Sequence, residues 1–192
     1  MRGRTDAVLP RLYRMAAMTK STSNQDLGWF IDTVLLTNIK DLICTNGQHY
    51  LGFGVVACGI EFLGACIDAL PFDAEKVSRQ RFEAGIKTLF DAKYNPFADK
   101  STKYDLYKHL RCGMAHIMRP QGRVGFTTQA ESVTDGTTHL QILTPDDKLV
   151  LVSETFYADF ADATKKMKHH MNAGAYTKKL SDHYLPITEF KP

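Results

Sequence analysis

Two residue types suited to acid–base and phosphate chemistry stand close together in the stretch LYKHLRCGMAHIM, residues 106–118: Arg111, and His116 five positions on. An imidazole whose ordinary pKa is about 6.5 exchanges a proton at neutral pH. A guanidinium stays charged, grips a phosphate through its fork of donors, and stabilises negative charge as it develops. On a helical wheel of about 100° per residue, Tyr107, Leu110, Met114 and Ile117 form an apolar stripe. Asp105, His109, Cys112 and His116 form a second, polar stripe, and Arg111 lies on the opposite flank of the core stripe, near Ala115. Five residues of regular helix set Arg111 and His116 about 140° apart. The two therefore meet only if the helix ends or distorts near Gly113, or if two copies of the helix face each other across a dimer.

Three readings of the polar stripe follow. It is a solvated face, as a helix normally shows opposite its core. Alternatively Asp105, His109, Cys112 and His116 ligate a metal, although that spacing matches no zinc signature and needs a ligand from elsewhere. Or Arg111 and His116 work together on a phosphate. The chain has no P-loop, dinucleotide fingerprint, GxSxG elbow or HExxH helix, so neither a cofactor nor a metal is expected.

The elements that must position this pair are mostly helical. Asn24 caps a first helix over 24–44, in which Leu27, Phe30, Ile31, Val34 and Leu35 recur at helical spacing. After TNGQ comes YLGFGVVACGIEFLGACIDAL, apolar almost all round, which predicts a central helix. Its mid-segment carboxylate, Glu61, either pairs with an arginine in the interior or reaches solvent from a narrow polar stripe. Pro71 ends it, and helices over about 74–90 and 101–117 follow. THLQILTPDDKLVLVSE alternates around a turn and predicts a β-hairpin over about 138–152. A last helix over 154–173 buries Phe156, Phe160, Ala163 and Met167. The expectation is a mainly α protein, an antiparallel four- to five-helix bundle with the hairpin inserted before the last helix. One domain spans 24–173, after a basic extension at 1–23 and before an irregular tail at 174–192.

Bulk properties narrow the classes. A chain of 192 residues with 44% hydrophobic and 23% charged residues is long enough for one well-buried domain. The net charge of +3 is too small to argue for nucleic acid by itself. Lys165, Lys166 and Lys168 make a basic run that reads either as a solvated face or as a track for phosphates. Cys44, Cys58 and Cys66 fall in apolar helical stretches and read as small core residues, and with Cys112 they form no CxxC pair. A reducing, cytoplasmic setting is expected. The opening MRGRTDAVLPRLYRMAA is arginine-rich without a signal-type apolar run, and no membrane span is expected.

KHLRCGMAH resembles the R-x4-6-H motif of the HEPN superfamily, and GIEFLGACID resembles the glycine-containing second helix of some members. The resemblance covers roughly 24–118 plus the last helix. It implies a helical bundle that dimerises so that both motifs form one cleft. It also implies either a metal-independent endoribonuclease of toxin, defence or RNA-processing type, or a non-catalytic module for dimerisation, nucleotide or partner binding. A homodimer, RNA and a cognate antitoxin or regulatory protein are the partners implied. Arg111 takes the role of phosphate-binding arginine and His116 that of catalytic histidine. Glu61, His109 and Cys112 are supporting residues, Glu61 as the partner that orients Arg111. Active members usually carry Asn, Asp or His after the arginine, where this chain has Cys112.

Overall fold

The computed structural model describes residues 28–175. The extension at 1–23, Asn24 and the tail beyond 175 lie outside the described residues. Helix α1 occupies 28–45 and is underwound, with π-helical hydrogen bonding over Phe30–Asn38 and Asp41–Thr45. It buries Ile31, Leu35 and Ile43. Helix α2, His49–Ile67, is the centre of the fold and touches α1, α3, α6 and the helix carrying Arg111. Phe53, Val56, Ile60 and Leu63 on it are almost fully buried. By length and composition α2 could cross a membrane, but 56% of its most apolar window is buried inside the protein. The apolar run is thus accounted for as a core helix.

Small residues set how closely α3, Ser78–Leu89, lies against α2. A Cβ on Gly64 would overlap the Arg81 carbonyl, and one on Gly85 would come within 2.6 Å of the Ile60 carbonyl oxygen. The turn between the two helices is tied down by Arg81. Its Nε donates to Asp68 at 2.7 Å, while its terminal nitrogens donate to the carbonyls of Phe72 and Pro71. A 3-10 turn over Ala92–Phe97 follows, and then α4 over 106–117. Ser101 and Thr102 lie in turns and not in the helix, which starts later than the wheel implied. Asp105 supplies the cap, accepting the Lys108 N–H.

Beyond α4 the structure is richer than a hairpin. Strand β1, Val124–Thr127, leads into α5, Gln129–Asp135, which carries a capping box between Thr128 and Glu131. Strands β2, Ile142–Leu143, and β3, Lys148–Val152, complete a three-stranded sheet in the order β1-β3-β2. β2 pairs antiparallel with β3, whereas β1 pairs parallel to it from Val124↔Leu149 to Thr127↔Val152. Phe126 on β1 stacks on Phe53 at 3.9 Å, seating the sheet on the start of α2. The last helix, α6, Ser153–Asn172, buries Phe156, Phe160 and Met167 against α2.

A polar network fixes the sheet to the helices. His139 Nδ1 accepts the Val152 N–H at 3.0 Å, so Nε2 carries the proton and donates to the Tyr94 oxygen at 2.7 Å. Tyr94 in turn donates to Asp159, which Lys93 also holds at 2.8 Å. Burial pushes the His139 pKa down to about 4 against the pull of Asp159, and pushes the Tyr94 phenol up. Two cysteines depart from expectation: Cys66 is buried, but Cys44 and Cys58 are exposed.

Candidate functional site

Helix α4 is not a regular helix. Tyr107–Cys112 is a π-helical stretch, and only Gly113–Ile117 is α-helical. The distortion near Gly113 that would change the Arg111–His116 relation is therefore present, immediately before the glycine. A π-turn widens the helix locally and is frequently found where function requires a side chain to be re-aimed. The wheel's stripes break up accordingly. Leu106, Leu110 and Met114 form the buried face, while Ile117 is 51% exposed. The polar stripe splits into a buried half, Asp105 and His109, and an open half, half-buried Cys112 and exposed His116.

Arg111 lies against α2. Its Nε donates to Glu61 Oε2 at 2.6 Å, and both side chains keep just under a fifth of their surface exposed. Glu61 thus has an arginine partner and still reaches the surface, combining the two readings its sequence position allowed. Among the described residues the terminal nitrogens of Arg111 have no hydrogen-bond partner. The ion pair fixes the guanidinium's direction through Nε and leaves the fork for an external anion. Desolvation pulls the guanidinium's pKa down, but the charge and hydrogen bond of Glu61 outweigh it and the net shift is upward. The Arg111 Cζ stands 5.9 Å from the centre of the Tyr107 ring, and Arg79 stands 4.5 Å from the same ring. The Tyr107 phenol is raised by burial and by its neighbour Cys112. The exposed Cys58 faces the pair from α2, its thiol raised by desolvation first, against the lowering effect of Arg111.

His116 occupies the last turn of α4 and is exposed to solvent. The chain then reverses. Met118 is left-handed at φ 54°, and its carbonyl accepts the Tyr50 hydroxyl of α2 at 2.6 Å. The return segment passes directly over Gly113, where a Cβ would stand 2.5 Å from the Arg119 carbonyl oxygen. That close approach is what Gly113 is for. Among the described residues no hydrogen bond joins Arg111 to His116, so within one chain they are neighbours on a helix and not a contacting pair.

The other expected residues are placed as follows. His109 is buried under the return segment, with Gly122 against its ring and its backbone carbonyl accepting the Gln121 N–H at 2.8 Å. Desolvation, then Lys108, lowers its pKa, and Asp105 and the Lys103 backbone partly offset this. It faces away from solvent and supports the return segment. Asp105 is taken by Arg79 at 2.9 Å. Among the described residues no three His, Cys, Asp or Glu side chains come together as a metal site requires. The α6 lysines are each engaged within the chain: Lys165 with Asp162, Lys166 with the Thr88 carbonyl, and Lys168 with Asp32 on α1. Lys166 and Lys168 tie α6 to its neighbours, while Lys165 pairs within α6 itself.

Sequence reasoning missed Arg79 and Tyr107 as members of this neighbourhood. Tyr107 was read as core because it shares the wheel stripe of Leu110 and Met114. Arg79 carried only an i,i+4 signal with Glu83, realised at 3.2 Å. No family model, curated protein or solved structure matches the chain.

Proposed function

We propose that the protein is a HEPN-like, metal-independent endoribonuclease acting as a homodimer in a reducing, cytoplasmic setting, with Arg111 and His116 at the cleft between two copies. The observation that carries the reading is the Glu61–Arg111 pair, which orients the guanidinium through Nε and leaves its terminal nitrogens unpartnered among the described residues, on the same helix as the exposed His116. The helical bundle and the β elaboration before α6 would then be the HEPN-like frame. In the reaction the 2′-hydroxyl attacks the adjacent phosphorus, forming the 2′-O–P bond as the P–O5′ bond breaks. The 2′-hydroxyl proton leaves to a base and the 5′-oxygen receives one. His116 is the side chain placed to make one of these transfers, and Arg111 to hold the non-bridging oxygens.

A second copy is favoured by the surface around the pair. Leu51 and Val55 on α2 and Ile117 and Met118 at the end of α4 are each 41–59% exposed, apolar side chains left uncovered on the two helices that carry Glu61 and Arg111. Val55→Glu is expected to give a monomer by light scattering where the wild type is a dimer. The test of the chemistry is cleavage of structured RNA in EDTA. Arg111→Ala and His116→Ala should each lower the rate by about 10²–10⁴-fold, His116→Ala at unchanged thermal stability. Equal cleavage by all three proteins, or none by any, removes the nuclease reading.

The alternative is a non-catalytic dimerisation, nucleotide-binding or partner-binding module, with an antitoxin or regulatory protein as the partner class. Cys112 after the arginine and the lack of an Arg111–His116 contact within one chain favour it. It predicts dimerisation and binding that survive without any cleavage.

A further inference from the structure

One side of α3, with the Lys76 turn before it and the 99–100 segment, carries an open groove of about 450 Å³. The groove is shallow and open, a shape that suits a strand laid across it more than an enclosed small ligand. Its charged lining consists of Lys76, Arg79, Glu83, Lys87, Asp99 and Lys100, four cations against two carboxylates. The carboxylates are already engaged. Glu83 lies between Arg79 at 3.2 Å and Lys87 at 3.9 Å. Asp99 accepts the Ser101 N–H at 2.9 Å and faces Lys87 at 3.7 Å. Arg79 is further neutralised by Asp105. Lys76 and Lys100 have no carboxylate partner among the described residues, and they carry the excess positive charge of the groove.

The lining also says which part of a ligand it suits. No aromatic ring and no large aliphatic side chain faces the groove, so it offers nothing for a base to stack on. It offers charge and hydrogen-bond donors, which recognise phosphate groups independently of sequence. One member, Arg79, leads out of it. Arg79 and Arg111 both lie on the Tyr107 ring, at 4.5 and 5.9 Å from its centre, so that ring links the groove to the guanidinium whose terminal nitrogens are unpartnered.

We propose that the α3 groove binds phosphodiester groups of a single-stranded RNA whose reacting phosphate lies at Arg111, with Lys76 and Lys100 as its principal contacts. The inference rests on the nuclease reading of Arg111 and His116 for its substrate class. The groove, and not the lysine run of α6, is then the track along which the strand approaches.

The probe is a short, fluorescently labelled RNA with every 2′-hydroxyl methylated, which cannot undergo 2′-hydroxyl attack. Binding is followed by anisotropy across a salt titration of the full-length protein. The double variant Lys76→Gln and Lys100→Gln should bind at least about tenfold more weakly, with a log–log salt slope shallower by about 1.4 for two lost phosphate contacts. The double variant with Arg at both positions should retain wild-type binding. Arg111→Ala should keep the part of the salt dependence that the lysines supply. Binding by the Gln variant within about twofold of wild type at the same slope overturns the proposal. Loss of binding in the Arg variant, or no binding by the wild type, overturns it too. Unlabelled inorganic phosphate and adenosine monophosphate serve as competitors. If either displaces the probe as well as the unlabelled strand does, the occupant is a small phosphate and the RNA-strand proposal fails. The nuclease reading stands or falls separately, on cleavage of unmodified RNA in EDTA by wild type against His116→Ala.

Discussion

Two arginines reach back to carboxylates of the α2 region, and they are held in opposite ways. Arg81 is closed. Its side chain and that of Asp68 are 6% and 12% exposed, and all three guanidinium nitrogens donate to oxygens of the 68–72 turn. Arg111 is open. Only Nε is engaged, by Glu61, and its surface exposure is about three times that of Arg81. A buried charge whose donors are all satisfied has nothing left to offer a ligand; its work is to hold a turn. A guanidinium steered by one carboxylate, with its fork at the surface, is arranged as a binding group. The same residue type, paired with the same kind of partner, thus divides into anchor and reader according to how many of its donors the fold consumes.

The largest effect that tests this division is Arg81→Ala. It takes the guanidinium away from a buried carboxylate and two carbonyls, and should lower unfolding free energy by about 3–5 kcal/mol in urea titrations. A loss as small as that of a surface pair would remove the closed reading. Next comes the other closed cluster, around His139. Its folded pKa of about 4 lies below the unfolded value of 6.5, so the unfolded chain binds the extra proton between them. Its contribution is full above pH 6.5 and is lost as pH falls towards 4, a drop on the order of 3 kcal/mol. Unfolding curves at pH 7 and pH 4 measure it, and a His139→Gln variant should show a flatter acid limb. Arg111→Ala should cost only about 1 kcal/mol, as for a partly exposed pair, while abolishing RNA cleavage. A loss matching that of Arg81→Ala would make the two arginines equivalent. Glu61→Gln is expected to have the smallest effect, under about 1 kcal/mol, because the amide oxygen still accepts from Nε.

The helices around the site were legible because their signals were local. The apolar run of α2, Pro71 after it and the spacing of Phe156, Phe160 and Met167 each mark an element without reference to the rest of the chain. Glu61 was legible as a carboxylate in need of a partner, and Arg111 as an available one. Three things were not. The π-helical turn over Tyr107–Cys112 has no signature on a wheel that assumes a regular period, so Ile117 was assigned to the core and is exposed. The burial of His109 depends on the return segment crossing Gly113 and pressing Gly122 against the ring, a tertiary event that no helix period encodes. Strand β1 is four residues long, and its parallel partner lies beyond α5 and β2. The α5 capping box, Thr128 with Glu131, was present in the sequence as T-x-x-E and marked a helix that the hairpin reading passed over.

Strand β3 passes into α6 with no residue between Val152 and Ser153, and β1 follows α4 after only the short return segment. The parallel register between β1 and β3 therefore works as a splint joining the last helix to the end of the helix that bears His116. There is no slack in that linkage to absorb a displacement. A protein that gripped α6 and drew it lengthwise would load the β1–β3 hydrogen bonds in shear, and the strain would arrive at Met118 and the turn beside His116. The C-terminal helix is in this sense the handle of a lever whose short arm is the candidate cleft.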